Sequence, residues 1–87
     1  MFDTSFFQRF YVALEAYLQQ AETEVRNGNL AAARKIAHKM LGLCQLFGTA
    51  EQIALCEQIE HSQSLSNLKI ILGNLRKMIS DNKANRQ

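Results

Sequence analysis

Apolar side chains recur every three or four positions along almost the whole 87-residue chain, which is the spacing of amphipathic α-helices. Only three breaks interrupt this pattern, at residues 27–29, 47–49 and 61–64. The chain has no proline and four glycines, so few positions elsewhere would stop a helix. The pattern predicts four helices, which run from Thr4 or Ser5 to Arg26, from Leu30 to Leu46 or Phe47, from Ala50 to Glu60, and from Ser66 to Asp81.

Two of the breaks carry signals that are typical of helix ends. Gly28 follows the first predicted helix and suits the left-handed position that often ends a helix. Thr49 is followed three residues later by Gln52, which fits a capping box at the start of the third helix. These signals support the predicted boundaries independently of the apolar spacing.

Four amphipathic helices with short connections predict an all-α fold, an antiparallel up-down four-helix bundle. A chain of this length has room for one domain, so we expect a single bundle over residues 1–87. Its core should span about residues 5–81, and residues 82–87 should form a loose tail. Outside the second helix, the expected core residues are Phe7, Phe10, Tyr11, Leu14, Tyr17, Leu18, Ala21, Val25, Ala50, Ile53, Cys56, Ile59, Leu68, Ile71, Leu72, Leu75, Met78 and Ile79.

Charge and hydropathy exclude two classes of partner. The net charge is only +2, whereas a nucleic-acid-binding domain of this size usually has a strongly basic face. A group of basic residues near the C-terminus is interpreted as a solvated helix face and tail. No apolar run approaches the length of a membrane span, and no signal peptide is present. We therefore expect neither nucleic-acid binding nor membrane contact by this segment.

The chain contains two cysteines, Cys44 and Cys56. They do not form a Cys-x-x-Cys pair and have no matching histidine cluster, so a metal site and a disulfide scaffold are both disfavoured. The spacing instead predicts two reduced thiols in a helical core, and hence a cytoplasmic domain.

His38 lies on the outer face of the second helix when the residues are placed at 100° intervals. The expected core residues of this helix lie on the opposite side and are Ala33, Ile36, Met40, Leu43 and Phe47. Ala37 and Cys44 lie on one flank of this apolar side. The outer face also contains Arg34, Lys35, Gly42 and Gln45, and Leu41 lies beside them as an apolar residue that we expect to be exposed.

The residues around His38 suit the transfer of an anionic group. Gly42 lies one turn after His38, although glycine inside a helix costs about 1 kcal/mol relative to alanine. Its missing side chain would let a second protein or a phosphoryl group approach the imidazole. Arg34, Lys35 and Lys39 lie within one turn of His38, where positive charge favours the neutral, nucleophilic imidazole and attracts phosphoryl oxygens. The same pattern also fits a surface histidine without a function, so both interpretations remain at this point.

Residues 37–48, Ala-His-Lys-Met-Leu-Gly-Leu-Cys-Gln-Leu-Phe-Gly, resemble the signature of the histidine phosphotransfer (HPt) family, approximately A-H-x-L-K-G-x-x-x-x-x-G. The alanine, the histidine and both glycines match, and Met40 replaces the usual leucine. Gly28-Asn29-Leu30 is similar to the Gly-Asp-aromatic start of the same helix in the family. Residues 55–60 are similar to its third helix, and the resemblance covers about residues 7 to 80.

The resemblance implies a four-helix bundle in which His38 accepts a phosphoryl group from the aspartyl phosphate of one receiver domain. His38 would then donate the group to the aspartate of another. The implied partners are response-regulator receiver domains and a hybrid sensor kinase. The chain would be a phosphocarrier and not an enzyme. It would need no cofactor or metal, because the receiver domain supplies the Mg²⁺.

One position departs from the family pattern. The family commonly has lysine three residues after the histidine, where it helps to hold the phosphoryl oxygens, and this chain has Leu41. The resemblance therefore implies that Lys39 or Lys35 takes this role, and that Glu60 bonds to the imidazole and orients it. The implied receiver-docking surface contains Arg34, Leu41, Gly42 and Gln45.

Three other functions compete with that of a phosphocarrier. The first is a degenerate HPt-like module that binds a receiver or a kinase without efficient phosphotransfer, which Leu41 favours. The second is the dimerising helical hairpin of a histidine kinase, which usually has an acidic residue directly after the histidine and a nearby proline. Lys39 and the absence of proline disfavour it. The third, a hydrolase, has no supporting arrangement of residues.

Overall fold

The structure, a computed structural model, describes the backbone of residues 4–85 and the side chains of residues 5–82. These residues form four helices and no strand. The helices are α1 (Thr4–Arg26), α2 (Leu30–Phe47), α3 (Ala50–Glu60) and α4 (Leu65–Asn85). The predicted helix boundaries are confirmed within one residue, except at the C-terminal end of α4.

The connection between α1 and α2 has the geometry that its sequence predicts. Gly28 has a φ of +75°, the left-handed conformation in which glycine is favoured. Its N–H donates to the carbonyl of Val25 at 3.0 Å, and the N–H of Asn29 donates to the carbonyl of Glu24 at 2.8 Å. The side chain of Asn29 then accepts from the N–H of Ala32 at 3.1 Å and caps α2.

The connection between α2 and α3 is also set by local hydrogen bonds. The Thr49 side chain accepts from the N–H of Gln52 at 3.1 Å, and the Gln52 side chain accepts from the N–H of Thr49 at 3.0 Å. These two bonds form the predicted capping box. Directly before it, the N–H of Gly48 donates to the carbonyl of Cys44 at 2.7 Å.

Each helix packs against its neighbours around a single core. α2 contacts α1 on one side and α3 on the other, and α4 packs against both α1 and α3. With short connections, this order produces an antiparallel up-down bundle with dimensions of 39 × 20 × 19 Å. α2 is therefore covered on two flanks, and its remaining side faces solvent.

The core follows the predicted stripes with few differences. The buried hydrophobic residues are Phe10, Tyr11, Leu14, Leu18, Ala21, Ala33, Ala37, Met40, Leu41, Cys44, Cys56, Ile59, Leu68, Ile71, Leu72, Leu75 and Ile79. Most of the other predicted core residues are partly buried at the edge of this cluster. Ala50 is exposed because it begins α3 at the rim of the bundle.

The two cysteines lie inside this core, as predicted. Both are fully buried free thiols, and their Sγ atoms are 4.0 Å apart across the α2–α3 contact. The hydrogen bond between the thiols and their burial raise the pKa of Cys56 above its ordinary value. Cys56 is therefore held as a neutral thiol that packs like a small apolar side chain.

The end of α4 differs from the sequence-based prediction. The helix was expected to stop near Asp81, with residues 82–87 loose, but it continues to Asn85. Neither glycine nor proline follows Asp81, and Lys83 and Ala84 both favour helix. The sequence therefore contains neither of the two strongest signals that would end the helix earlier. Residues 86–87, which belong to the same predicted tail, lie outside the described residues.

No helix in the described part of the chain combines the length and the apolar character that crossing a membrane requires.

Candidate functional site

His38 lies on the solvent-facing side of α2, with 73% of its side chain exposed. Its Nδ1 is 2.5 Å from Oε1 of Glu60, which lies at the end of α3. A carboxylate can only accept a hydrogen bond, so this contact assigns the proton of a neutral His38 ring to Nδ1. The other nitrogen, Nε2, then carries a lone pair, and no described residue bonds to it.

Glu60 reaches His38 because the end of α3 is attached to α2. Glu60 is the last residue of α3, where backbone carbonyls have no partner within the helix. Its carbonyl accepts a hydrogen bond of 2.8 Å from Nε of Arg34, one turn before His38 on α2. The backbone of Glu60 is thus bound by Arg34 and its carboxylate by His38.

The surface beside this pair is rich in positive charge. A shallow open depression is lined by Ala31, Arg34, Lys35, His38, Lys39 and Glu60. Arg34, Lys35 and Lys39 are exposed, and Glu60 is the only acidic residue in the lining. The predicted phosphoryl-stabilising and orienting residues Lys35, Lys39 and Glu60 are therefore brought together beside His38. Such a depression favours an anionic group over a cationic one.

The surface on the other side of His38 is open. Gly42 is exposed, and a Cβ atom added to it would meet nothing within 4 Å. The packing of this chain therefore does not require glycine at that position. Gln45 and Leu46 are also exposed and extend the same face toward the end of α2. This face keeps its backbone accessible near the histidine, as the sequence predicts.

Leu41 corrects the predicted surface. It was expected to be exposed and to contribute to receiver docking, but it is only 8% exposed and belongs to the core. The expected core of α2 was centred directly opposite His38, and the observed core is turned toward the flank that carries Leu41. That flank is covered because α3 packs there and bonds to α2 through Glu60.

The opposite flank of α2 faces α1. Ile36, Leu43 and Phe47, which were expected at the centre of the core, are only partly buried. They line grooves together with residues of α1 such as Ala13 and Ala16. A helical wheel gives the angles between residues but not the positions of the neighbouring helices, which explains the difference.

The geometry suits nucleophilic transfer. Among the described residues, no group of three or more histidine, cysteine, aspartate or glutamate side chains could hold a metal ion. The site instead offers one exposed imidazole whose Nδ1 is bonded to a carboxylate. A nucleophile oriented by a hydrogen bond of this kind can attack an electrophile with its second nitrogen. The contact between Arg34 and Glu60 was not predicted from the sequence, although Arg34 was placed on the correct face.

Comparison with known proteins gives one family. The family model described as the Hpt domain matches residues 5–84. No curated protein and no solved structure gives a significant match to the chain. The matched range covers α2 and α3 completely, α1 except for Thr4 and α4 except for Asn85.

Proposed function

This chain belongs to the Hpt domain family, which acts in histidine phosphotransfer within phosphorelays, and we propose that His38 is the residue that carries the phosphoryl group. The observation that supports this proposal is the exposed imidazole of His38, whose Nδ1 is hydrogen-bonded to Glu60. That bond leaves Nε2 as the nucleophilic atom on the solvent side. Lys35, Lys39 and Arg34 surround the place where an incoming phosphoryl group would lie.

In the proposed reaction, Nε2 of His38 attacks the phosphorus atom of an aspartyl phosphate on a receiver domain. A nitrogen–phosphorus bond forms, the phosphorus–oxygen bond breaks, and the electron pair leaves with the aspartate carboxylate. The phosphorylated imidazole keeps its proton on Nδ1 and gains positive charge. The carboxylate of Glu60 faces that charge and stabilises it. The reverse steps would deliver the group to the aspartate of a second receiver domain.

Lys39 and Lys35 are the proposed donors to the phosphoryl oxygens. Both are exposed, line the depression with His38 and have long flexible side chains. They would replace the lysine that the family commonly has at the position of Leu41, which is buried here. The proposal needs no cofactor on this chain, since the Mg²⁺ of the reaction belongs to the receiver domain.

The proposed receiver-docking surface is the open face of α2 on both sides of His38. It contains Arg34, Gly42 and Gln45, as the sequence predicts, and Leu46 takes the exposed apolar role first assigned to Leu41. Leu46 is 73% exposed and so offers apolar area to a partner. Gly42 would let the receiver backbone approach the imidazole closely.

The alternative function is receiver binding without efficient transfer. The feature that favours it is Leu41 itself, an apolar and buried residue at the position where the family commonly has the lysine that helps to hold the phosphoryl oxygens. Under this alternative the same face docks a receiver or a kinase, but His38 accepts phosphate poorly.

The deciding experiment incubates the protein with phosphorylated receiver domains and locates the phosphate by mass spectrometry under conditions that preserve phosphohistidine. We expect phosphate on His38 and complete loss of labelling in His38→Gln, with unchanged helicity because the side chain lies outside the core. His61→Gln is the matched control, because His61 is the only other histidine and is exposed at the end of α3.

Labelling that persists in His38→Gln would contradict the proposed site. A large loss of helicity in that variant would contradict its placement on the outer face. Binding to a broad panel of receivers with no phosphate transfer to the wild-type protein would favour the alternative module.

A further inference from the structure

We propose that Arg34 is a positioning residue, which holds the carboxylate of Glu60 on Nδ1 of His38 by binding the last carbonyl of α3. The consequence for phosphotransfer rests on the function proposed above. The positioning itself can be measured on the isolated protein without any receiver domain.

The first step of the argument is the weak local support at the end of α3. α3 spans only Ala50–Glu60, and a helix this short is marginal without tertiary contacts. The carbonyls of Glu57 and Ile59 accept from the N–H groups of His61 and Ser62 at 3.1 and 3.2 Å. The carbonyl of Glu60 is bound by Arg34 instead, from another helix.

The second step concerns the charge of Glu60. A carboxylate at the C-terminal end of a helix is unfavourable, because the helix dipole places partial negative charge there. The bond from Arg34 reduces this effect, because its Nε–H donates to the last carbonyl of α3 at 2.8 Å and so satisfies one of the groups that carry the partial negative charge. Without that bond, the hydrogen bond to His38 would be the main interaction that keeps the side chain of Glu60 beside α2.

The third step is geometrical. Arg34 and His38 lie one turn apart on the same face of α2, and both bind Glu60. Arg34 fixes the backbone of Glu60, and this reduces the number of side-chain conformations from which the carboxylate can reach Nδ1. Among the described residues, these are the only two hydrogen bonds that polar side chains of α2 make to α3, apart from the contact between the two thiols.

A competing explanation is that Arg34 acts only through its charge, as Lys35 and Lys39 would. The three cations line the same depression, but only Arg34 bonds to α3. Lys35→Met and Lys39→Met therefore remove the same charge from the same surface and leave the bond to Glu60 in place. They are matched controls for Arg34→Met.

A second variant separates the hydrogen bond from the charge. The Nε2 atom of glutamine is separated from Cα by the same number of bonds as Nε of arginine. Arg34→Gln therefore keeps an N–H donor at the required distance but removes the positive charge, whereas Arg34→Met removes both. Positioning predicts that Arg34→Gln behaves like the wild type, and a pure charge effect predicts that it behaves like Arg34→Met.

The direct measurement is the nitrogen-15 NMR spectrum of the His38 ring, which reports which nitrogen carries the proton. We expect a dominant Nδ1–H tautomer in the wild type, in Arg34→Gln and in both lysine variants. In Arg34→Met the signals should shift toward a mixture of the two tautomers. Circular dichroism spectra recorded in parallel verify that every variant keeps its helices, as expected for an exposed side chain.

The kinetic measurement is phosphorylation by a phosphorylated receiver domain. We expect the rate constant for transfer to fall by about tenfold in Arg34→Met, since misplaced reacting groups slow the chemical step, and to recover in Arg34→Gln. Lys35→Met and Lys39→Met remove proposed donors to the phosphoryl oxygens and should also slow transfer, but with an unchanged His38 ring spectrum.

Each outcome bears on one proposal. An unchanged His38 ring spectrum in Arg34→Met, or equal spectra for Arg34→Met and Arg34→Gln with both shifted, would overturn the positioning role. Absence of transfer in the wild type, with the tautomer shift still present in Arg34→Met, would instead contradict the phosphocarrier function and leave the positioning role standing.

Discussion

Gly42 and Gly48 belong to the same sequence motif, and their surroundings are opposite. A Cβ atom at Gly42 would meet nothing within 4 Å, because this residue faces solvent beside His38. A Cβ atom at Gly48 would lie 2.6 Å from Oε1 of Gln52 and 2.9 Å from Cα of Cys44. The first glycine leaves space for a molecule outside the chain, and the second allows two parts of the chain to pack closely.

Leu41 and Leu46 show the same contrast in apolar residues. Leu41 is 8% exposed and packs in the core, and Leu46 is 73% exposed on the open face. The motif on α2 therefore combines an inward set of residues that stabilise the bundle with an outward set available to a partner. The two sets should be separable by mutation, and the following predictions test that separation from the largest expected effect to the smallest.

The largest effect is expected at the two leucines. Leu41→Ala should lower the free energy of unfolding by about 2–5 kcal/mol, because it leaves a cavity in a packed core. Leu46→Ala should change it by less than about 0.5 kcal/mol, as surface substitutions usually do. Urea denaturation of both variants measures the difference. Equal losses in the two variants would show that the division between inward and outward residues is wrong.

The next largest effect on stability is expected when each of the two glycines is replaced by alanine. Gly48→Ala should cost about 1–3 kcal/mol of unfolding free energy, because the added methyl group collides with the backbone of Cys44 and with the capping-box side chain of Gln52. Gly42→Ala should stabilise the protein by up to about 1 kcal/mol, since alanine favours a helix interior. Thermal denaturation followed by circular dichroism measures both changes, and shifts of the same sign would contradict the comparison.

A smaller effect, on transfer and not on stability, is expected from Gly42→Glu. The added carboxylate would crowd the approach to His38 and repel the phosphoryl group, so the transfer rate should fall by about tenfold, which corresponds to 1.4 kcal/mol of activation free energy. Stability should not fall, because nothing in the chain occupies this space. Gly42→Ala is the control for volume alone. Wild-type transfer rates in Gly42→Glu would show that the glycine has no role in docking.

Much of this architecture could be predicted from the sequence because it depends on neighbours along the chain. Gly28 and the Thr49–Gln52 pair end and begin helices through bonds to residues at most a few positions away. The exposure of His38 also follows from helical spacing alone. These features were predicted correctly because no tertiary contact competes with them.

Two of the failures have a common physical origin in the contacts between helices. The burial of Leu41 depends on the side of α2 on which α3 packs, and the bond from Arg34 to Glu60 joins residues 26 positions apart. Helical spacing determines neither of them. The end of α4 was placed too early for another reason, since neither glycine nor proline follows Asp81 and the helix continues to Asn85.

The smallest effect on the free energy of unfolding is expected from a substitution at the contact between α1 and α4, which serves as a reference outside α2. Arg76 donates from Nε and Nη2 to the two carboxylate oxygens of Glu22, at 2.8 and 2.6 Å. These bonds raise the pKa of the Arg76 guanidinium above its ordinary value, so the arginine keeps its charge. Both side chains are partly exposed, which limits the gain because solvent screens the charges.

Glu22→Gln should therefore lower the free energy of unfolding by about 0.2–1 kcal/mol, as exposed ion pairs do. Urea denaturation at 0.1 M and at 1 M salt provides the measurement, and the difference from the wild type should shrink at high salt because the Debye length falls from about 10 Å to about 3 Å. Phosphotransfer should not change. A transfer defect in this variant would mean that packing between α1 and α4 also influences His38, and the inward and outward sets of α2 would then not be independent.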